Sequence, residues 1–87
     1  MRIGYVLVTC ESGFERAVMK KLLSIKHVAD ASVLFGMYDI IIKLESVTYE
    51  MLRELIIWKI RKIERIRSIV ILMGREPVSL LTKEPNL

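Results

Sequence analysis

Two stretches of this chain repeat the same punctuation at a constant spacing. Ile25-Lys26-His27-Val28 with Val33-Leu34-Phe35-Gly36 is echoed by Ile63-Glu64-Arg65-Ile66 with Ile71-Leu72-Met73-Gly74. Each copy reads as a helix end, a short loop and a strand closed by glycine. Ahead of each lies another strand-like run and an amphipathic segment. Two βαβ halves in tandem predict an α+β, ferredoxin-like βαββαβ sandwich: a four-stranded antiparallel sheet with two helices on one face. At 87 residues the chain is one domain. We place it at residues 1–74, with a C-terminal tail at 75–87.

The elements follow from local pattern. Arg2 to Thr9 is too short for a typical helix and nearly continuous in apolar character, as in a central strand covered on both faces. Ser12 with Glu15 three residues on reads as a capping box. Phe14, Val18, Leu22 and Ile25 then share one helical face, and the helix should stop near Lys26. Val28 to Phe35 and Tyr38 to Glu45 read as strands joined through a short Gly36-Met37 turn. Ser46 or Thr48 caps a second helix running to about Ile63, with Leu52, Leu55, Ile56, Ile60 and Ile63 inward. Lys59 falls inside that arc, its stem along the face and its amine in water. Arg65 to Met73 is the fourth strand. Val78 to Thr82 in the tail is a candidate extra edge strand.

Composition narrows the function. Hydrophobic residues make up 53% and charged residues 28%, more of both than a lone small domain needs. The longest apolar runs, such as Ile69 to Met73, are far short of the about 20 residues of a membrane span. The opening residues lack a signal-peptide plan. These features predict a soluble, cytoplasmic protein whose surplus apolar surface meets another subunit. The sheet face opposite the helices is the obvious place, and a second copy is its simplest cover. Met51, Ile57 and Trp58 are further candidate contacts. The scarcity of amides, with abundant Ile, Lys, Glu and Arg, resembles hyperthermophile proteins.

Catalytic chemistry is hard to assemble. Cys10 precedes a helix start, where a thiolate is favoured, yet a buried inert cysteine is the stronger expectation. His27 lies at the far end of that helix, about 20 Å away, so no Cys-His pair forms within one subunit. One histidine and one cysteine do not make a zinc site, and no glycine-rich phosphate loop occurs. We expect no enzyme, no metal and no cofactor. The net charge of +4 is concentrated in Lys59 to Arg67. That run permits sequence-independent nucleic-acid binding, but the strands lack interleaved aromatics for base stacking. Asp39 stands out, because aspartate is disfavoured at a strand entry. It either bonds nearby backbone amides or faces a ligand or partner.

The block Gly36-Met37-Tyr38-Asp39 followed by Ile40-Ile41-Ile42-Lys43-Leu44-Glu45 resembles the G-x-Y-D turn and aliphatic strand of the Lrp/AsnC transcription regulators, in their effector-binding (RAM) domain. Tyr5-Val6-Leu7-Val8 is similar to the first strand. Ile25-Lys26-His27-Val28 stands where the family often has an Ile-Pro-Gly-Val loop, and Ile63-Glu64-Arg65-Ile66 at the second such loop. The resemblance covers residues 2 to about 73 and starts at the first strand of that domain, without the family's helix-turn-helix. It implies a stand-alone module, homodimers assembling to a tetramer or octamer, no direct DNA contact, and full-length relatives as partners. It implies an amino-acid effector between dimers, beside Gly36, Met37, Tyr38 and Asp39. Many members carry Thr-x-Thr on the last strand. The matching positions here are read as Ile69 and Ile71, with Ser68 just before, which suits a more apolar ligand, recognition through backbone atoms, or a ligand-free assembly module.

Overall fold

The computed structural model describes residues 1–73; the tail, with the candidate edge strand Val78 to Thr82, lies outside the described residues. The elements are β1 (Arg2–Cys10), α1 (Glu15–Leu23), β2 (Val28–Val33), β3 (Ile40–Ser46), α2 (Tyr49–Leu55) continued by a π-helical turn (Ile56–Ile60), and β4 (Ile66–Met73). The sheet is antiparallel in the order β2-β3-β1-β4. This is the ferredoxin-like sandwich the tandem halves predict.

β1 and β3 lie at the centre, and their side chains alternate strictly. Val6, Val8 and Cys10 on β1, with Ile40, Ile42 and Leu44 on β3, are buried under the helices. Val18 and Leu22 of α1, and Leu52, Leu55, Ile56 and Ile60 of the second helix, close this core. Alternation sends Ile3, Tyr5 and Leu7 to the other face, where no helix lies among the described residues, and they are only half-buried. Within one chain, β1 is therefore covered on one side and not on both.

Helix entries depart from the capping pattern in one case of two. Thr48 caps α2 as expected: extended backbone at φ −129° and ψ 155°, with Oγ1 accepting from the Met51 amide at 3.2 Å. Ser46 does not cap; it is buried at the end of β3. Nor does Ser12 cap α1. Gly13 turns the chain at φ +92°, so the helix starts after Phe14, which makes no side-chain cap. Glu15 still reaches back, its Oε1 accepting from the Gly13 amide at 3.1 Å.

The second helix widens before it ends. The Arg61 amide bonds the Ile56 carbonyl at 3.0 Å, five residues back. The wider turn keeps Ile56 and Ile60 inward, puts Lys59 in solvent, and leaves Ile57 and Trp58 exposed. A uniform 3.6-residue period cannot represent that step.

The repeated loops are the same structure twice. His27 and Arg65 both adopt φ 78°. Val28 bonds the Ile25 carbonyl and Ile66 bonds that of Ile63. The carbonyls of His27 and Arg65 then accept from Glu45 and Glu11, at 2.9 and 2.8 Å. A left-handed conformation costs a residue with a Cβ about 1–2 kcal/mol, and glycine fills this place in the Ile-Pro-Gly-Val loop. Part of that strain is offset by the greater chain entropy glycine loses on folding. His27→Gly should therefore raise stability by about 1 kcal/mol, and the melting temperature by about 4–8 °C. A lower melting temperature would show that the imidazole makes a contact worth more than the strain. Arg65 is a poorer choice, since its guanidinium bonds Glu11 at 3.2 Å and lies 4.4 Å from the Phe14 ring centroid.

Candidate functional site

The hairpin between β2 and β3 carries the motif. Leu34 donates to the Asp39 carbonyl at 2.8 Å, which closes a loop of Phe35, Gly36, Met37 and Tyr38. The loop is longer than a Gly36-Met37 turn, and Phe35, Tyr38 and Asp39 lie outside the strands. Gly36 sits at φ +126°, with nothing within 4 Å of where a Cβ would be. Backbone conformation, not space, requires glycine here. Phe35 and Met37 point away from the core at 102% and 86% exposure.

Asp39 anchors this loop to β1. Its amide donates to the Val8 carbonyl and its Oδ2 accepts from the Cys10 amide, both at 2.8 Å. The β1–β4 ladder shifts register between Thr9 and Cys10, and the carboxylate gives the Cys10 amide a partner at that irregularity. Of the two roles open to Asp39, bonding to the backbone is the one observed.

The Cys10 side chain is buried beside this contact. Burial pushes its thiol up, and the Asp39 and Glu15 carboxylates push it further. The raised value favours the neutral thiol over a reactive thiolate. Stability from this group is full below the unfolded thiol's pKa and is lost as pH rises through the folded one. Cys10 should therefore react with an aromatic disulfide reagent at pH 8 only on unfolding, more than about 100-fold slower than in urea. Comparable rates in both conditions would contradict its burial.

The β4 positions do not all face one way. Ser68 pairs with Thr9, and their hydroxyl oxygens are in contact. Ile69 and Ile71 pair with Val8 and Val6, so they lie on the helix-covered face. A step of one residue along a strand changes the face, and the side shared with Leu7 carries Ser68 and Val70. Ser68 and the Gly36 loop are at the same end of the sheet, on either side of β1, whereas Ile71 is further along and on the other face.

A groove of ≈ 650 Å³ lies against the loop. Val33, Leu34, Phe35 and Gly36 line it from the hairpin, Gly13, Glu15 and Arg16 from the start of α1, and Asp39 completes it. Sequence patterning did not single out Arg16, and it read Glu15 only as a cap. No spacing rule links the first turn of α1 to a hairpin so far along the chain. The groove offers a guanidinium, two carboxylates and an apolar wall. Met37 and Tyr38 do not line it.

The basic run from Lys59 to Arg67 is partly engaged within the fold. Lys62 Nζ lies 4.9 Å from the Trp58 ring centroid, and Arg65 is held by Glu11 and Phe14. Among the described residues no group of three or more His, Cys, Asp or Glu could hold a metal ion. No described helix is long and apolar enough to cross a membrane.

No protein-family model and no curated protein matches this chain. Solved structures do. FFRP-DM1 is 36% identical with a TM-score of 0.80, over 85% of this chain and 99% of its own. AsnC of E. coli is 26% identical with a TM-score of 0.78, over 90% of this chain and 54% of its own. The chain belongs to the Lrp/AsnC family. It corresponds to the RAM-like domain of those regulators and spans about half of AsnC. The transcriptional regulator NMB0573 of Neisseria meningitidis, solved as a complex with L-Met, shares the fold alone. It is 9% identical, with a TM-score of 0.75, over 97% of this chain and 56% of its own. Within the Lrp/AsnC fold, Phe35 to Tyr38 form the hairpin loop at one end of the sheet, with Phe35, Gly36 and Met37 exposed.

Proposed function

We propose that this chain is a ligand-binding and oligomerisation module that senses an amino acid at a dimer-dimer contact and modulates full-length Lrp/AsnC regulators. It binds and assembles rather than catalyses. The observation that carries the reading is the sheet face left without a helix. Ser32, Ile41, Leu7 and Val70 form one row across it, and Lys43, Tyr5 and Leu72 the next. Tyr5, Leu7 and Ile41 are only half-buried and Val70 and Leu72 are exposed, and a second copy laid against them would take this apolar face out of water. Membership of a regulator family supports the regulatory role, and the L-Met complex of the Neisseria protein supports an amino acid as the effector class.

A screen of the twenty amino acids by thermal shift and calorimetry tests the effector. A ligand at about 100 times its Kd adds about 2.7 kcal/mol, so at least one amino acid should raise the melting temperature by several degrees. No response from any of them, with oligomers present, removes the effector. One observation favours that ligand-free reading: Asp39 Oδ2 is already bonded to the Cys10 amide, so the loop is set without a ligand.

A further inference from the structure

Arg16 breaks a local rule. It is the second residue of α1, where the positive end of the helix dipole disfavours a cation. Among the described residues its guanidinium forms no ion pair; the pairs are Lys43–Glu45 and Arg65–Glu11. It nevertheless lines the groove against the Gly36 loop. Residues that contradict local preference without a structural return concentrate at functional positions.

The groove is two-sided in its chemistry. The Glu15 and Asp39 carboxylates line it with Arg16. Each has one oxygen on a backbone amide, Oε1 on Gly13 and Oδ2 on Cys10. The other oxygens make no hydrogen bond among the described residues. Val33, Leu34 and Phe35 add an apolar wall, with Phe35 wholly exposed. The volume of ≈ 650 Å³ falls within the roughly 300–1,000 Å³ of small-molecule pockets.

We infer that Arg16 takes the carboxylate of the effector, and that the effector is a zwitterion with an apolar side chain lying along Val33, Leu34 and Phe35. This rests on the ligand-binding reading above. Glu15 and Asp39 receive the ammonium through their free oxygens. The assignment places the specificity-determining charge on α1, outside the Gly36–Asp39 motif.

Calorimetry with L-leucine, L-methionine and L-phenylalanine tests it, on the wild-type protein, Arg16→Gln and Arg16→Lys. At least one should bind the wild type. Arg16→Gln should weaken that binding about tenfold or more, the loss of a charge-assisted hydrogen bond. Arg16→Lys should keep most of it. The matching amine without a carboxylate, such as isoamylamine for leucine, should bind wild type and Arg16→Gln equally. Unchanged melting of Arg16→Gln without ligand separates lost binding from lost folding. Binding by the wild type with less than twofold change in Arg16→Gln overturns the assignment but leaves the ligand-binding reading intact. Binding of none of the three by the wild type overturns the assignment, and silence across all twenty amino acids overturns the broader effector reading too.

Discussion

Ile56→Ala is expected to remove about 3–4 kcal/mol of stability and to lower the melting temperature by more than about 10 °C. Ile56 is fully buried, in one cluster with Leu22, Ile42, Leu52 and Ile60. Truncation removes its apolar area from the core and leaves a cavity that a sheet on one side and two helices on the other cannot collapse to fill. Its position adds a second effect. Its carbonyl accepts from the Arg61 amide in the widened turn, so loosened packing here also loosens the step that turns Ile60 inward. A urea titration followed by circular dichroism reads the loss as a fall in the midpoint. A change under about 1 kcal/mol would mean that the second helix is not packed as described.

Leu7→Lys is expected to do the opposite kind of damage, dissolving the proposed assembly while sparing the fold. Leu7 lies in the centre of the sheet face without a helix, opposite Ile41 on one side and Val70 on the other. In a single chain it is half-buried, and a lysine there can carry its amine into water. Between two packed copies it cannot. A symmetric interface presents every substitution twice, so two ammonium groups would be desolvated without partners, at a cost of several kcal/mol each. The variant should keep its circular dichroism spectrum and elute at 10.1 kDa. A variant that stays associated would move the interface elsewhere, to the exposed Met51, Ile57 and Trp58 in the first instance.

The architecture was legible because it rests on period and punctuation. Alternation in β1 and β3, the recurrence of Val18 and Leu22, and the echo of Ile25 to Val28 in Ile63 to Ile66 are direct imprints of burial and of a repeated loop. What failed to read through depends on single backbone torsions or on distant contacts. Gly13 at φ +92° moved the helix start beyond the reach of Ser12, and glycine alone does not announce which conformation it takes. The π turn at Ile56 shifted Lys59 out of the apolar arc by one residue's rotation. The motif at Gly36 was found, but its role was divided: Asp39 serves the Cys10 amide, whereas Phe35 and Met37 stay bare. The β4 positions divide for a sharper reason. A strand offers only two faces, so Ser68 lies on the open side of the sheet while Ile69 and Ile71, opposite Val8 and Val6, lie on the helix side. Arg16 was invisible because its neighbours in the groove come from the other end of the α1–β2 unit.

Light scattering of the wild-type protein in solution, with Leu7→Lys run beside it, decides whether a second copy covers the open sheet face. A covered face gives a wild-type mass at a whole multiple of 10.1 kDa, at least two, and a single-chain mass for the variant. A wild-type protein of 10.1 kDa at micromolar concentration would contradict it, because the half-buried face of Ile3, Tyr5, Leu7 and Ile41 would then have no cover from a second copy.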